Sequence, residues 1–76
     1  WRLYPNPAHT TLHIDISVAG KLAIYGLDSR LVSETVLYPG TNFISIAAIQ
    51  QGMYTARITD VSGQTLGVQK VVKIDR

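Results

Sequence analysis

The sequence predicts an all-β fold, an immunoglobulin-like antiparallel β-sandwich of about seven strands. Three observations carry this prediction. Apolar residues recur with a period of two in short runs, turn-forming residues separate those runs at short intervals, and no segment of ten or more residues carries a capped apolar stripe of period 3.6.

The elements follow in chain order. A short entry strand is expected at Leu3-Tyr4. Leu12, Ile14, Ile16 and Val18 alternate with polar residues, as do Leu22 with Ile24, and Tyr54 with Ala56 and Ile58. Weaker runs occupy 31–37 and 42–46, and a long valine-rich run fills 65–74. Between them lie Ala19-Gly20, the segment 26–30, Tyr38-Pro39-Gly40-Thr41-Asn42 and the segment 60–64, where Gly, Pro, Asn or Asp can reverse the backbone. One helical turn is expected over 47–50. A weak internal echo relates 24–32 to 58–66, read as two hairpins built by one rule rather than as a repeat architecture.

Gly52-Met53-Tyr54 refines the sandwich prediction. In immunoglobulin-like sandwiches a tyrosine at the start of the sixth strand can close the preceding corner through its hydroxyl. Tyr54 stands where that role requires it, with Gly52 available for a positive φ. The cysteine pair and buried Trp of antibody domains are missing.

Composition limits the function classes. A chain of 76 residues has room for one thin core, burying only about 60% of its unfolded surface. It contains no cysteine, so neither disulfides nor a thiolate zinc site contribute. The net charge is +2, and the basic residues are scattered rather than gathered in a stripe, which argues against nucleic acid. Only Lys70, Lys73 and Arg76, set against Asp75, make a local excess. No run reaches the roughly 18 apolar residues of a membrane span, so no direct membrane insertion is expected. Trp1 follows no leader-like segment, and the chain reads as a piece of a longer protein.

No catalytic constellation is recognisable. The acids lie mostly in turns, the serines lack an elbow motif, and no phosphate loop or cofactor motif is present. His9 and His13, on one strand, would stand roughly 13 Å apart, too far for a shared metal. The chain is therefore expected to be no enzyme and to need no cofactor. The final run is irregular. Leu66, Val68, Val72 and Ile74 share one parity with Lys70, while Val71 falls among the polar positions. Either a bulge near Gly67 shifts the register, or Lys70 is an inward charge guarding an edge strand. An apolar edge of that kind could accept a partner strand.

Tyr4-Pro5-Asn6-Pro7 before a Thr-x-Leu-x-Ile strand, then Ile24-Tyr25-x-Leu, Gly40-Thr41-Asn42, Ile49-x-x-Gly52-x-Tyr54, Asp60-x-x-Gly63 and Lys70-Val71-Val72-Lys73 span nearly the whole chain. In this order they resemble the type A C-terminal sorting domain of the type IX, or Por, secretion system. Two departures lie in the first hairpin, where Gly26 replaces a usual Asp and Ser29 a usual Gly.

The resemblance implies one C-terminal sorting domain over 1–76, with an entry segment 1–9 and a sandwich 10–76. Such a domain directs a cargo protein of Bacteroidetes-type bacteria from the periplasm across the outer membrane to the cell surface or medium. Its implied partners are the type IX translocon, a surface sortase and the cargo domains ahead of it. Gly63, Lys70, Val71, Val72 and Lys73 would serve translocon recognition, with Ile74 to Arg76 as an extension. Tyr4, Pro5, Asn6, Pro7, Gly52, Tyr54 and Asp60 would be structural, the prolines stiffening the entry. A weak homodimer through an edge strand is a further expectation. The alternative function is an immunoglobulin-like accessory module that binds carbohydrate or protein for a larger secreted enzyme. Tyr25, Tyr38, Phe43 and Tyr54 show no common surface in the sequence to favour it.

Overall fold

A computed structural model describes residues 1–4 and 8–74. Seven strands alternate their side chains between a shared interior and solvent: β1 (Arg2–Tyr4), β2 (Thr11–Ile16), β3 (Gly20–Tyr25), β4 (Leu31–Leu37), β5 (Gly40–Ser45), β6 (Gly52–Asp60) and β7 (Thr65–Lys73). They form two antiparallel sheets, β1-β2-β5 and β4-β3-β6-β7. The predicted sandwich is therefore present, with no helix among the described residues.

Period-two patterning explains the core. Leu12, Ile14 and Ile16 from one sheet meet Leu22, Ile24, Ala56 and Ile58 from the other, and Leu3, Ala8, Leu37, Ile44, Ile46 and Val71 complete the buried cluster. Each large aliphatic side chain so buried contributes about 1.5–3 kcal/mol, the main force available to a chain without cysteine. Val18 does not join them. The alternation that includes it ends at Ile16, and Val18 is exposed where the chain crosses from β2 to the other sheet. The turn expected as helical at 47–50 is a single reversal closed by the amide of Ile49 donating to the carbonyl of Ile46 (3.0 Å).

The crossing from β4 to β5 takes only Tyr38 and Pro39, and Asn42 secures it. Its side-chain oxygen accepts the amide of Tyr38 (3.0 Å), while its Nδ2 donates to the carbonyls of Tyr38 (2.8 Å) and Ile14 (3.3 Å). The side chain thus supplies partners that backbone pairing lacks at a change of sheet.

The internal echo proves to be a shared hairpin geometry. In the β3–β4 hairpin Gly26 N donates to Arg30 O (2.9 Å) and Ser29 N to Gly26 O (3.0 Å). In the β6–β7 hairpin Asp60 N donates to Gln64 O (2.9 Å) and Gly63 N to Asp60 O (3.0 Å). Both are turns that end in a left-handed residue, Ser29 (φ 64°) in one and Gly63 (φ 92°) in the other. Both are followed by a register shift that leaves Val32 or Leu66 as an extra residue in its strand. Ser29 carries a Cβ in a conformation that costs an L-residue about 1–2 kcal/mol. Ser29→Gly should raise the urea midpoint, with a gain of up to about 1 kcal/mol after the entropy cost of glycine; a lowered midpoint would contradict this account of the turn.

Candidate recognition surface

β7 lies at the edge of the four-stranded sheet, and its pairing with β6 decides which residues can meet a partner. Opposite β6, Gly67 faces Ile58, Gln69 faces Ala56, Val71 faces Tyr54 and Lys73 faces Gly52. These positions point inward, so Val71 is core and Lys73 is only 3% exposed. Leu66, Val68, Lys70 and Val72 take the outward parity, with Leu66, Val68 and Lys70 exposed. This reverses the parity read from the sequence, in which Leu66, Val68 and Val72 marked the apolar side. A bulge does lie at Leu66, next to Gly67, where one reading of the run expected it, but beyond it the strand alternates without a break, so Lys70 and Val72 share the outward face. The competing reading of Lys70 as an inward charge is overturned, and Lys73 occupies an inward position instead. No buried side-chain nitrogen or oxygen among the described residues lacks a hydrogen-bond partner, as a buried cation requires.

The backbone edge of β7 is partly occupied. Ala8, fully buried, bridges Lys73 in parallel: its amide donates to Val72 O (2.8 Å), and Ile74 N donates to its carbonyl (2.9 Å). Further along, Trp1 Nε1 donates to Leu66 O (3.3 Å), and the indole lies so close to Gly67 that a Cβ there would come within 2.1 Å of Cζ2. Gln69 Nε2 donates to Leu3 O (3.4 Å). The chain therefore pairs with β2 through β1 and with β7 at Ala8. Pro5, Asn6 and Pro7, expected to stiffen this passage, lie outside the described residues, as do Asp75 and Arg76. Trp1 and Gln69 carried no sequence signal for this role; Gly67 carried one, read only as a bulge.

Two of the structural motif residues act as the spacing suggested. The Tyr54 hydroxyl donates to the carbonyl of Gln50 (2.5 Å), four residues upstream, and Gly52 takes φ 151° in the corner between them. Asp60 organises the β6–β7 hairpin through one oxygen, which accepts Ser62 Oγ (2.6 Å), Ser62 N (2.9 Å) and Gln64 N (3.0 Å). The Ser62 hydroxyl, then the Gln64 amide, hold its carboxyl below the ordinary 3.8, against the opposing effect of desolvation. Tyr4 is half-buried on β1 and lies on the other sheet.

The outward face of the four-stranded sheet has a distinct chemistry. Cross-strand register places Lys21 beside Val36, Ala23 between Glu34 and Arg57, Arg57 beside Val68, and Thr55 beside Lys70. Among the described residues, three cations thus share the face with one carboxylate. Lys21 approaches Glu34 (3.6 Å), and the Arg57 guanidinium lies 5.6 Å from the centroid of Tyr25. Val36, Val68 and Met53 are exposed among them. Lys21 and Arg57 were not singled out from the sequence because they are distant in the chain and become neighbours only through pairing.

Comparison with protein families finds that a model described as the secretion system C-terminal sorting domain matches residues 2–74. Comparison with curated proteins finds no match.

The two lysines of the final motif should separate in equilibrium unfolding. Lys73→Ala removes a buried stem and leaves its surroundings unfilled, and should cost about 2 kcal/mol in urea, whereas Lys70→Ala should change stability by less than about 0.5 kcal/mol; equal losses would show the inward and outward assignments to be wrong. Asp60 has a pH signature of its own. Its folded pKa lies below its unfolded one, so its contribution is fully present above about 3.8 and is lost as the pH falls through the lower folded value. An NMR titration should give a carboxyl midpoint below 3.8, and the stability difference from Asp60→Asn should shrink on acidification; a midpoint above 3.8 would refute the hydrogen-bonding account.

Proposed function

Because the chain belongs to the family of secretion system C-terminal sorting domains, which direct their cargo for secretion through the Por, or type IX, system, we propose that it is a type A member read through the outward side chains of β7 and its neighbours. The family is a sorting signal and not an enzyme, and its cargo is secreted or displayed at the cell surface. The observation that carries the proposal is the basic outward face, where Lys21, Arg57 and Lys70 outnumber Glu34 amid exposed valines.

The residues of the final motif then divide by role. Lys70 and Val72 face the translocon, which meets them with acidic and apolar groups. Val71 and Lys73 hold the strand from inside, and Gly63 sets the hairpin that begins it. This reading replaces strand addition as the main mode, since Trp1 and Ala8 already take carbonyls on the outer side of β7. The finer expectations stand beside this reading: transit through the periplasm before the outer membrane, a surface sortase acting ahead of the sandwich, and a weak homodimer through an edge strand.

The test is a periplasm-directed fluorescent reporter fused to residues 1–76 in a bacterium with a working type IX system. The unmodified fusion should reach the cell surface. Lys70→Glu and Arg57→Glu fusions should remain in the periplasm while resisting proteolysis as folded domains do. Surface display of both folded variants at the unmodified level would sink the basic-face reading.

A further inference from the structure

The outer surface of the three-stranded sheet plays no part in the contacts described so far. Strand register arranges it in rows. Tyr4 stands opposite His13 and His13 opposite Phe43, so that one side chain from each strand makes an aromatic row. The Tyr4 and His13 rings lie 5.1 Å apart at 55°, and His13 meets Phe43 edge to face, 4.8 Å apart at 74°. The neighbouring row, Arg2, Asp15 and Thr41, is polar. Arg2 places its guanidinium 4.4 Å from the Tyr4 centroid and its Nε 3.8 Å from Asp15 Oδ2, while Thr41 Oγ1 donates to Asp15 Oδ1 (2.8 Å). On the other flank Thr11 faces Ser45.

We propose that this surface binds a pyranose-containing oligosaccharide. Sugars present apolar C–H faces edged by hydroxyls, and an aromatic row between two hydrogen-bonding rows matches both parts of that chemistry. Phe43, 68% exposed, is the stacking ring, and His13 braces it from the side. Asp15 accepts from sugar hydroxyls, Arg2 donates to them, and Thr41, Thr11 and Ser45 can do either. With strands about 4.8 Å apart, the row spans about 10 Å, the reach of a disaccharide.

The same face suits a protein partner poorly. A stable protein interface buries about 800 Å² on each side around an apolar centre. Among the outward residues of these three strands, Phe43 is the one large exposed hydrophobic side chain. A second copy of the chain would find no apolar centre here either.

The test is an amide-resolved NMR titration of the 76-residue chain with cellohexaose, chitohexaose and maltohexaose in turn. At least one should shift the resonances of His13, Asp15, Thr41 and Phe43 together. Phe43→Ala, which removes an exposed ring and should leave the fold intact, should weaken that binding about tenfold or more. Val36→Ala, on the opposite face, should leave it unchanged. Silence with all three sugars, equal binding by Phe43→Ala, or shifts confined to another surface would each overturn the proposal. Concentration-dependent shifts at these residues without sugar would overturn it too, in favour of self-association.

Discussion

Two short backbone hydrogen bonds join Ala8 to the end of β7, and much of the sandwich depends on them. A thin core can stay dry only if the gap between its two sheets is closed along the sides. On the β1 and β7 side the chain itself makes the closure. Ala8 is fully buried there, Trp1 covers Gly67 further along, and Gln69 reaches the carbonyl of Leu3. With no disulfide available to tie the sheets together, these contacts link the start of the chain to its last strand across more than sixty positions of sequence. Such long-range closure costs entropy that local hairpins do not.

The closure also shapes how the final strand can be read. Val71 and Lys73 face inward, while Lys70 remains exposed to solvent. A motif that looks uniform in one dimension thus contains structural and presented residues in alternation. The sandwich accordingly offers two unlike outer faces. One is basic and dotted with valine, and belongs to the sheet that contains the last strand. The other carries an aromatic row beside a carboxylate and hydroxyls. Because the core lies between them, substitutions on either face can be tested without disturbing the other.

Much of the fold was legible in the chain. Leu12, Ile14 and Ile16, and Tyr54, Ala56 and Ile58, announced their strands through alternation, and the corner at Gly52 and Tyr54 followed from turn chemistry. The paired hairpins were visible because each reversal depends on a few adjacent residues. The last strand was misread for a physical reason. A single extra residue at Leu66 inverts every side chain beyond it, and local patterning cannot say where the partner strand absorbs that shift. Asp60 and Gly63 were readable as turn residues, but the burial of Lys73 was not, since it follows from the register of β7 with β6 and from the neighbouring Ala8. Likewise the gathering of Lys21, Arg57 and Lys70, or of Tyr4, His13 and Phe43, depends on pairing between strands far apart in sequence. The strands, most of the turns and the family could be read from the chain, because these rest on local periodicity and ordered motifs. Which residues of the last strand are core, and which distant side chains share a face, came from the fold alone, because strand register and sheet closure are properties of contacts between distant segments.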